Sequence, residues 1–188
     1  NEFSLVSNVT FLIKTKERVL SAEVISKQNV KINMGKPKFG WEEIPLSENM
    51  NTKNISIDLL KKEHGFGFCV NIGNPHIIFF VKDCHKIDIR KLGPKIENYR
   101  FFPERTNVTF AQILDKKNIR VNVWERGAGQ TKACGTAACA VAVAASTKGL
   151  SDKNLQIHFK EGGLKIDYEE EIFMTGSVSE VQEVKLDI

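Results

Sequence analysis

The chain has 188 residues, 41% of them apolar and 27% charged, and its 27 basic side chains outnumber its 23 acidic ones. That balance excludes a disordered or collagen-like chain, and the length suits one large domain or one domain with part of another. The surplus of +4 is spread over short patches, Lys14-Thr15-Lys16-Glu17-Arg18, Lys61-Lys62 and Lys116-Lys117, which do not make the continuous basic face of a nucleic-acid binder. No nucleic acid is expected as a partner. No apolar run approaches the ~18 residues of a membrane crossing, and no basic segment leads into an apolar core as in an export signal. The expected location is cytoplasmic, with no membrane partner.

In chain order, Thr10 to Lys14, Arg18 to Ile25 and Asn29 to Met34 read as strands, the last alternating polar with apolar. Gly35-Lys36-Pro37-Lys38-Phe39-Gly40 breaks the pattern and is the best candidate boundary. Ile55 to Ile57 and Phe66 to Val70 alternate again, and Ile77 to Val81 is a solid apolar run, as in a strand buried on both faces. His85 to Leu92 suits one short helix closed by Gly93-Pro94. Val108 to Leu114 and Ile119 to Trp124 form a hairpin around Lys116-Lys117-Asn118. Leu155 to Phe159, Leu164 to Tyr168, Ile172 to Met174 and Val181 to Leu186 are further strands, with Gly162-Gly163 as the turn between the first two.

One segment differs. Lys132 to Lys148 is rich in alanine and valine, a helix by propensity, with Gly149 where its stop belongs. It lacks a polar face from Cys139 to Ala145, so it must be buried on all sides. A curved sheet wrapped around one central helix is the simplest architecture that does this.

Four cysteines, Cys69, Cys84, Cys134 and Cys139, show no CxxC pair or zinc-ligand spacing, and no metal site is expected. Cys69, Cys84 and Cys139 read as small core residues. Cys134 follows a strand end and a loop with Gly127 and Gly129, which permit torsions that a Cβ forbids. It then opens the alanine-rich helix, whose free amides can hold an anion and whose dipole can pull a thiol toward neutral pKa. Both roles stay open for Cys134, packing side chain or reactive thiolate. His64, His85 and His158 belong to no motif and read as surface or structural.

The run Glu125-Arg126-Gly127-Ala128-Gly129-Gln130-Thr131-Lys132-Ala133-Cys134-Gly135-Thr136-Ala137-Ala138-Cys139-Ala140 resembles the second cysteine signature of the diaminopimelate epimerases. Asn33 to Pro37, Gly73-Asn74-Pro75-His76, Leu92-Gly93-Pro94, Phe102 to Val108 and Met174-Thr175-Gly176 match the same family in the same order. The resemblance implies an α+β fold: a curved, mostly antiparallel sheet around a central helix, one full domain plus part of its pseudo-symmetric partner. It divides the chain into a remnant of an N-terminal domain (1–35), a C-terminal epimerase domain (36–176) and a strand returning to the N-terminal domain (177–188).

The family inverts one α-carbon of 2,6-diaminopimelate, LL to meso, with two facing cysteines and no cofactor, for lysine and cell-wall precursor synthesis. By resemblance Cys134 is one of the two. The amides at Gly135 and Thr136 hold the reacting carboxylate, Glu125 lies near the α-amino group, and Asn74, Asn107 and Arg126 grip the distal stereocentre. His76 stands beside the cysteines and helps stabilise the thiolate. The partner is a small molecule, and a homodimer is possible. The other cysteine motif, Cys-Gly-Asn-Gly, is not in this sequence. The chain therefore reads as a fragment supplying one half-site, inactive alone. The alternatives are a proline racemase, hydroxyproline epimerase or other isomerase of the same fold, or a non-catalytic truncated half.

Overall fold

The computed structural model describes residues 9–15, 18–60 and 65–179. In chain order its elements are β1 (Thr10–Lys14), β2 (Val19–Ser26), β3 (Asn29–Gly35), β4 (Phe68–Asn71), β5 (Pro75–Phe80), α1 (Ile89–Glu97), β6 (Asn107–Asp115), β7 (Asn118–Glu125), β8 (Gly129–Gln130), α2 (Gly135–Thr147), β9 (Asn154–Phe159), β10 (Gly162–Tyr168) and β11 (Ile172–Ser177). The strands join one sheet in the order β1-β2-β3-β11-β10-β9-β7-β6-β5-β4, with β8 on β7. All neighbours are antiparallel except β5 with β6 and β7 with β9. The last described strand reaches back to the first ones: Ser177 pairs with Asn29, and the Val178 amide donates to the Gln28 carbonyl. The strand expected over Val181 to Leu186, and His64, lie outside the described residues.

Strand periodicity builds two cores. Phe68, Val70, Ile78, Val121 and Val123 face α2, while Cys69, Ile77, Phe79 and Trp124 face α1. The apolar run of β5 is therefore buried on both faces, as read. Every side chain from Ala137 to Ala145 is fully buried, and α2 packs on β4, β5, β6, β9, β10 and β11. Its end is a Schellman motif: Leu150 N–H donates to Ala145 C=O, Gly149 N–H donates to Ser146 C=O, and Gly149 has φ +68°.

Three local expectations are corrected. The helix of the middle region does not stop at Gly93-Pro94. A single 3₁₀ turn at Cys84–Lys86 precedes α1, which starts at the Asp88 cap and runs through Pro94 to Glu97. Pro94 forfeits one helical hydrogen bond, but Ile89 and Ile96 bury one stripe and Gly93 lies flat on the Trp124 ring. Ile55 to Ile57 is not a strand; Ile55 makes one bridge, to Gly67. The β9–β10 turn is Lys160-Glu161, and Gly162 and Gly163 are already strand. A Cβ on Gly163 would sit 2.9 Å from the Ile157 carbonyl oxygen.

Candidate active site

Strand β7 ends at Glu125, and the loop from Arg126 to Ala128 turns back so that Gly129 pairs with Glu125 in β8. Gly127 and Gly129 both take positive φ, +76° and +86°, as expected. The chain then reaches Cys134, the N-cap of α2 in extended geometry. The residue is 8% exposed, whereas Cys69, Cys84 and Cys139 are wholly buried. The Cys134 Sγ lies 3.5 Å from Thr136 Oγ1. Met174 packs over Gly135, so close that a Cβ there would meet its sulfur at 2.9 Å.

The thiolate expected near neutral pH is not found. Burial raises the Cys134 thiol above its ordinary pKa and the Glu125 carboxylate adds to this, against the opposing pull of the Thr136 hydroxyl and the Ala137 amide. The helix start does act in the expected direction, but desolvation outweighs it.

The second group lies on β5, β6 and the loop before β5. Asn74 Oδ1 accepts from Nε2 of His76 at 2.9 Å. His76 is wholly buried, its Nδ1 has no partner, and burial with the Arg126 guanidinium pushes its pKa down to about 3. It is neutral at physiological pH and bonded to Asn74, so any help it gives a Cys134 thiolate does not come from its charge. His76 pairs in register with Asn107 across the parallel β5–β6 ladder. Asn107 is buried and committed at both ends: Nδ2 donates to the Pro75 carbonyl at 2.8 Å and Oδ1 accepts the Arg126 amide at 2.9 Å. The Arg126 side chain donates to the Glu104 carbonyl at 3.1 Å. The amide of Asn107 thus joins the loop carrying Asn74 to the loop carrying Arg126.

Sequence reasoning missed two supports. Arg18, counted only among surface basic residues, donates to the Met34 carbonyl at 2.8 Å and the Ile72 carbonyl at 2.7 Å. Its guanidinium covers Gly73, where a Cβ would come within 2.9 Å of Cζ. Glu97, at the end of α1, is 5% exposed and accepts one bond from the signature loop, from the Gly127 amide. Neither residue stands in a motif, and only a buried position could have marked them. Among the described residues no three His, Cys, Asp or Glu side chains cluster as a metal site would, and no helix is long and apolar enough to cross a membrane. A cavity of about 740 Å³ opens beside Asp88, Arg90, Gln130, Lys132 and Glu161, but none of the candidate residues lines it.

Solved structures share this fold at low sequence identity. A probable proline racemase from Agrobacterium radiobacter superposes with a TM-score of 0.65 at 14% identity, covering 96% of this chain and 62% of that one. A predicted epimerase from Pseudomonas aeruginosa gives 0.62 at 13%, covering 96% and 68%. Sequence relatives are nearer. The diaminopimelate epimerase of Pelagibacter ubique is 44% identical over 172 residues, 89% of this chain and 63% of the relative. That of a Wolbachia from Drosophila simulans is 39% identical, over 86% and 62%. That of Acinetobacter baumannii is 36% identical over the whole chain and 68% of the relative. The chain thus spans somewhat under two thirds of the first two relatives. The family model for diaminopimelate epimerase matches residues 68–181, and with these identities the chain belongs to the diaminopimelate epimerase family.

Proposed function

We propose that this chain supplies one wall of a cofactor-independent, two-thiol epimerisation of LL-2,6-diaminopimelate to the meso form, in the cytoplasm. The observation that carries the proposal is the placing of Cys134. Alone among the four cysteines it is not wholly buried, and it stands at a helix start beside Thr136 and Glu125.

Cys134 rests as a thiol, so it is ready to deliver a proton to a carbanion-like α-carbon. To act in the other direction it must lose that proton. Burial is the main cause that holds the thiol up; an α-ammonium bound at Glu125 neutralises the smaller contribution of that carboxylate and so shifts the thiol toward its thiolate. The first-turn amides at Gly135 and Thr136 face an α-carboxylate and share the charge that develops as the α-proton leaves. Arg126 offers charge-assisted bonds to a distal carboxylate, with Asn74 alongside. Asn107 has one Nδ2 hydrogen beyond its two main-chain bonds, so its first task is to hold Arg126. His76, neutral and bonded to Asn74, fixes that side chain's orientation.

A planar carbanion needs acids on both faces. Cys69, Cys84 and Cys139 are wholly buried, so the second thiol is not among this chain's own cysteines, and the 188 residues alone do not invert diaminopimelate. The test is titration calorimetry with LL- and meso-diaminopimelate, together with proton NMR of the α-position in D₂O. Binding lost in Arg126→Met, without inversion, is expected. Inversion that disappears in Cys134→Ala would refute the single-thiol assignment, and failure of either isomer to bind would refute the substrate.

A further inference from the structure

We infer that Glu97 is a positioning residue for the Glu125–Gly129 loop, acting from the end of α1; the inference rests on that loop's being the substrate-binding wall. Glu97 is 5% exposed. Three donors converge on its carboxyl group: the indole Nε1 of Trp124 at 2.7 Å on Oε2, the Gly127 amide at 2.9 Å on Oε1, and Arg105 Nη1 at 3.4 Å on Oε1.

The Gly127 bond is the informative one. Docking α1 on β7 needs only the contact of Gly93 with the Trp124 ring and the indole bond. The bond to Gly127 reaches past β7 into the loop. The preceding amide, Arg126 N–H, is held from another direction by Asn107 Oδ1 at 2.9 Å. Two consecutive peptide planes, one on each side of the Arg126 Cα, are therefore fixed by buried side chains from different elements. Fixing both planes fixes the direction in which the Arg126 side chain leaves the backbone, with its guanidinium then resting on the Glu104 carbonyl.

The segment between the two anchors supports this role. Arg105, between Glu97 and Asn107, is the one non-glycine residue with positive φ among the described residues, at 62°. That conformation is disfavoured for a side chain with a Cβ. It is held by the turn bond from Arg105 N–H to Phe102 C=O and by the guanidinium contact with Glu97. Strain accepted beside a buried acceptor that also bonds the Gly127 amide of the signature loop is what a positioning device requires, and a simple helix end does not.

The test compares Glu97→Leu, Glu97→Gln and Trp124→Phe. Glu97→Leu removes every acceptor. In Glu97→Gln the amide oxygen can stay on the side where Gly127 and Arg105 both donate, with its N–H₂ against the indole. Trp124→Phe removes the indole donor and leaves the Gly127 bond. Expected in Glu97→Leu is faster hydrogen exchange at the Gly127 and Arg126 amides. Its affinity for meso-diaminopimelate falls about tenfold or more, the scale of losing a bond to a charged acceptor. Trp124→Phe keeps both properties near wild type, and Glu97→Gln regains most of the exchange protection. Unchanged Gly127 exchange in Glu97→Leu overturns the inference, and so does a loss in Trp124→Phe as large as in Glu97→Leu. Should the wild type bind no diaminopimelate, the substrate proposal fails, while the exchange comparison still decides whether Glu97 holds the loop.

Discussion

Replacing Gly93 by alanine sets two effects of opposite sign against each other. In a helix interior alanine is favoured over glycine by about 1 kcal/mol. At this position the new Cβ would lie 2.5 Å from Cγ, 2.6 Å from Cδ2 and 2.9 Å from Cβ of Trp124. These atoms are at the root of the side chain and cannot swing aside without moving β7, and the ring is also pinned by its bond to Glu97. Overpacking costs roughly 1–3 kcal/mol, and this geometry belongs at the upper end. Steric conflict therefore outweighs propensity, and the net loss is about 2 kcal/mol, a fall of roughly 4–8 °C in melting midpoint for a chain of this size. Urea unfolding followed by circular dichroism is the assay, with a lower midpoint at unchanged slope as the expected result. A variant as stable as the wild type, or more so, would show that Trp124 is not the fixed surface on which α1 rests.

Other outcomes follow from the titrating groups. His76, at about 3 when folded and ~6.5 when unfolded, binds its proton more readily in the unfolded state, so stability falls as pH drops below about 6.5. Between pH 6.5 and 4.5 the loss is about 2 kcal/mol, and His76→Gln should flatten that part of the urea-midpoint profile. The buried thiols act at the other end: Cys139 is pushed up to about 12 and Cys84 to about 11, against ~8.5 unfolded. Each keeps its proton in the fold and loses it on unfolding, so stability declines as pH rises above about 8.5, by ~1.4 kcal/mol per unit for each thiol. A Cys139→Ala variant whose alkaline slope matched the wild type would contradict this. Iodoacetamide at pH 7.5 should give one adduct on the native chain, located by mass spectrometry at Cys134 and missing in Cys134→Ala; labelling of a second thiol would mean that the core opens.

The parts legible in the sequence are those with local causes. Alternation marks β3 and β7, an unbroken apolar run marks β5, and an alanine-valine stretch ending in a glycine marks α2. The glycines and cysteine of the signature loop mark the candidate site. What escaped depends on residues far apart in the chain. Gly93-Pro94 reads as a stop, yet Trp124 supplies the surface on which α1 continues. Arg18 reads as a solvated cation, yet its guanidinium bonds to the carbonyl of Ile72. Glu97 lies beyond the expected Gly93-Pro94 stop and in no motif, yet it is buried and accepts the Gly127 amide. The Cys134 thiol shows the same limit: position at a helix start is visible in one dimension, while burial and the charge of Glu125 exist only once the sheet has closed.

The wholly apolar girdle of α2 has a consequence for synthesis on the ribosome. Half of the strands that cover it, β9, β10 and β11, are translated after it, and β11 must then find β3, pairing Ser177 with Asn29. Until those later strands emerge, the nascent chain can cover α2 only with β4, β5 and β6, so one side of a greasy helix stays bare until the last third of the sheet is made.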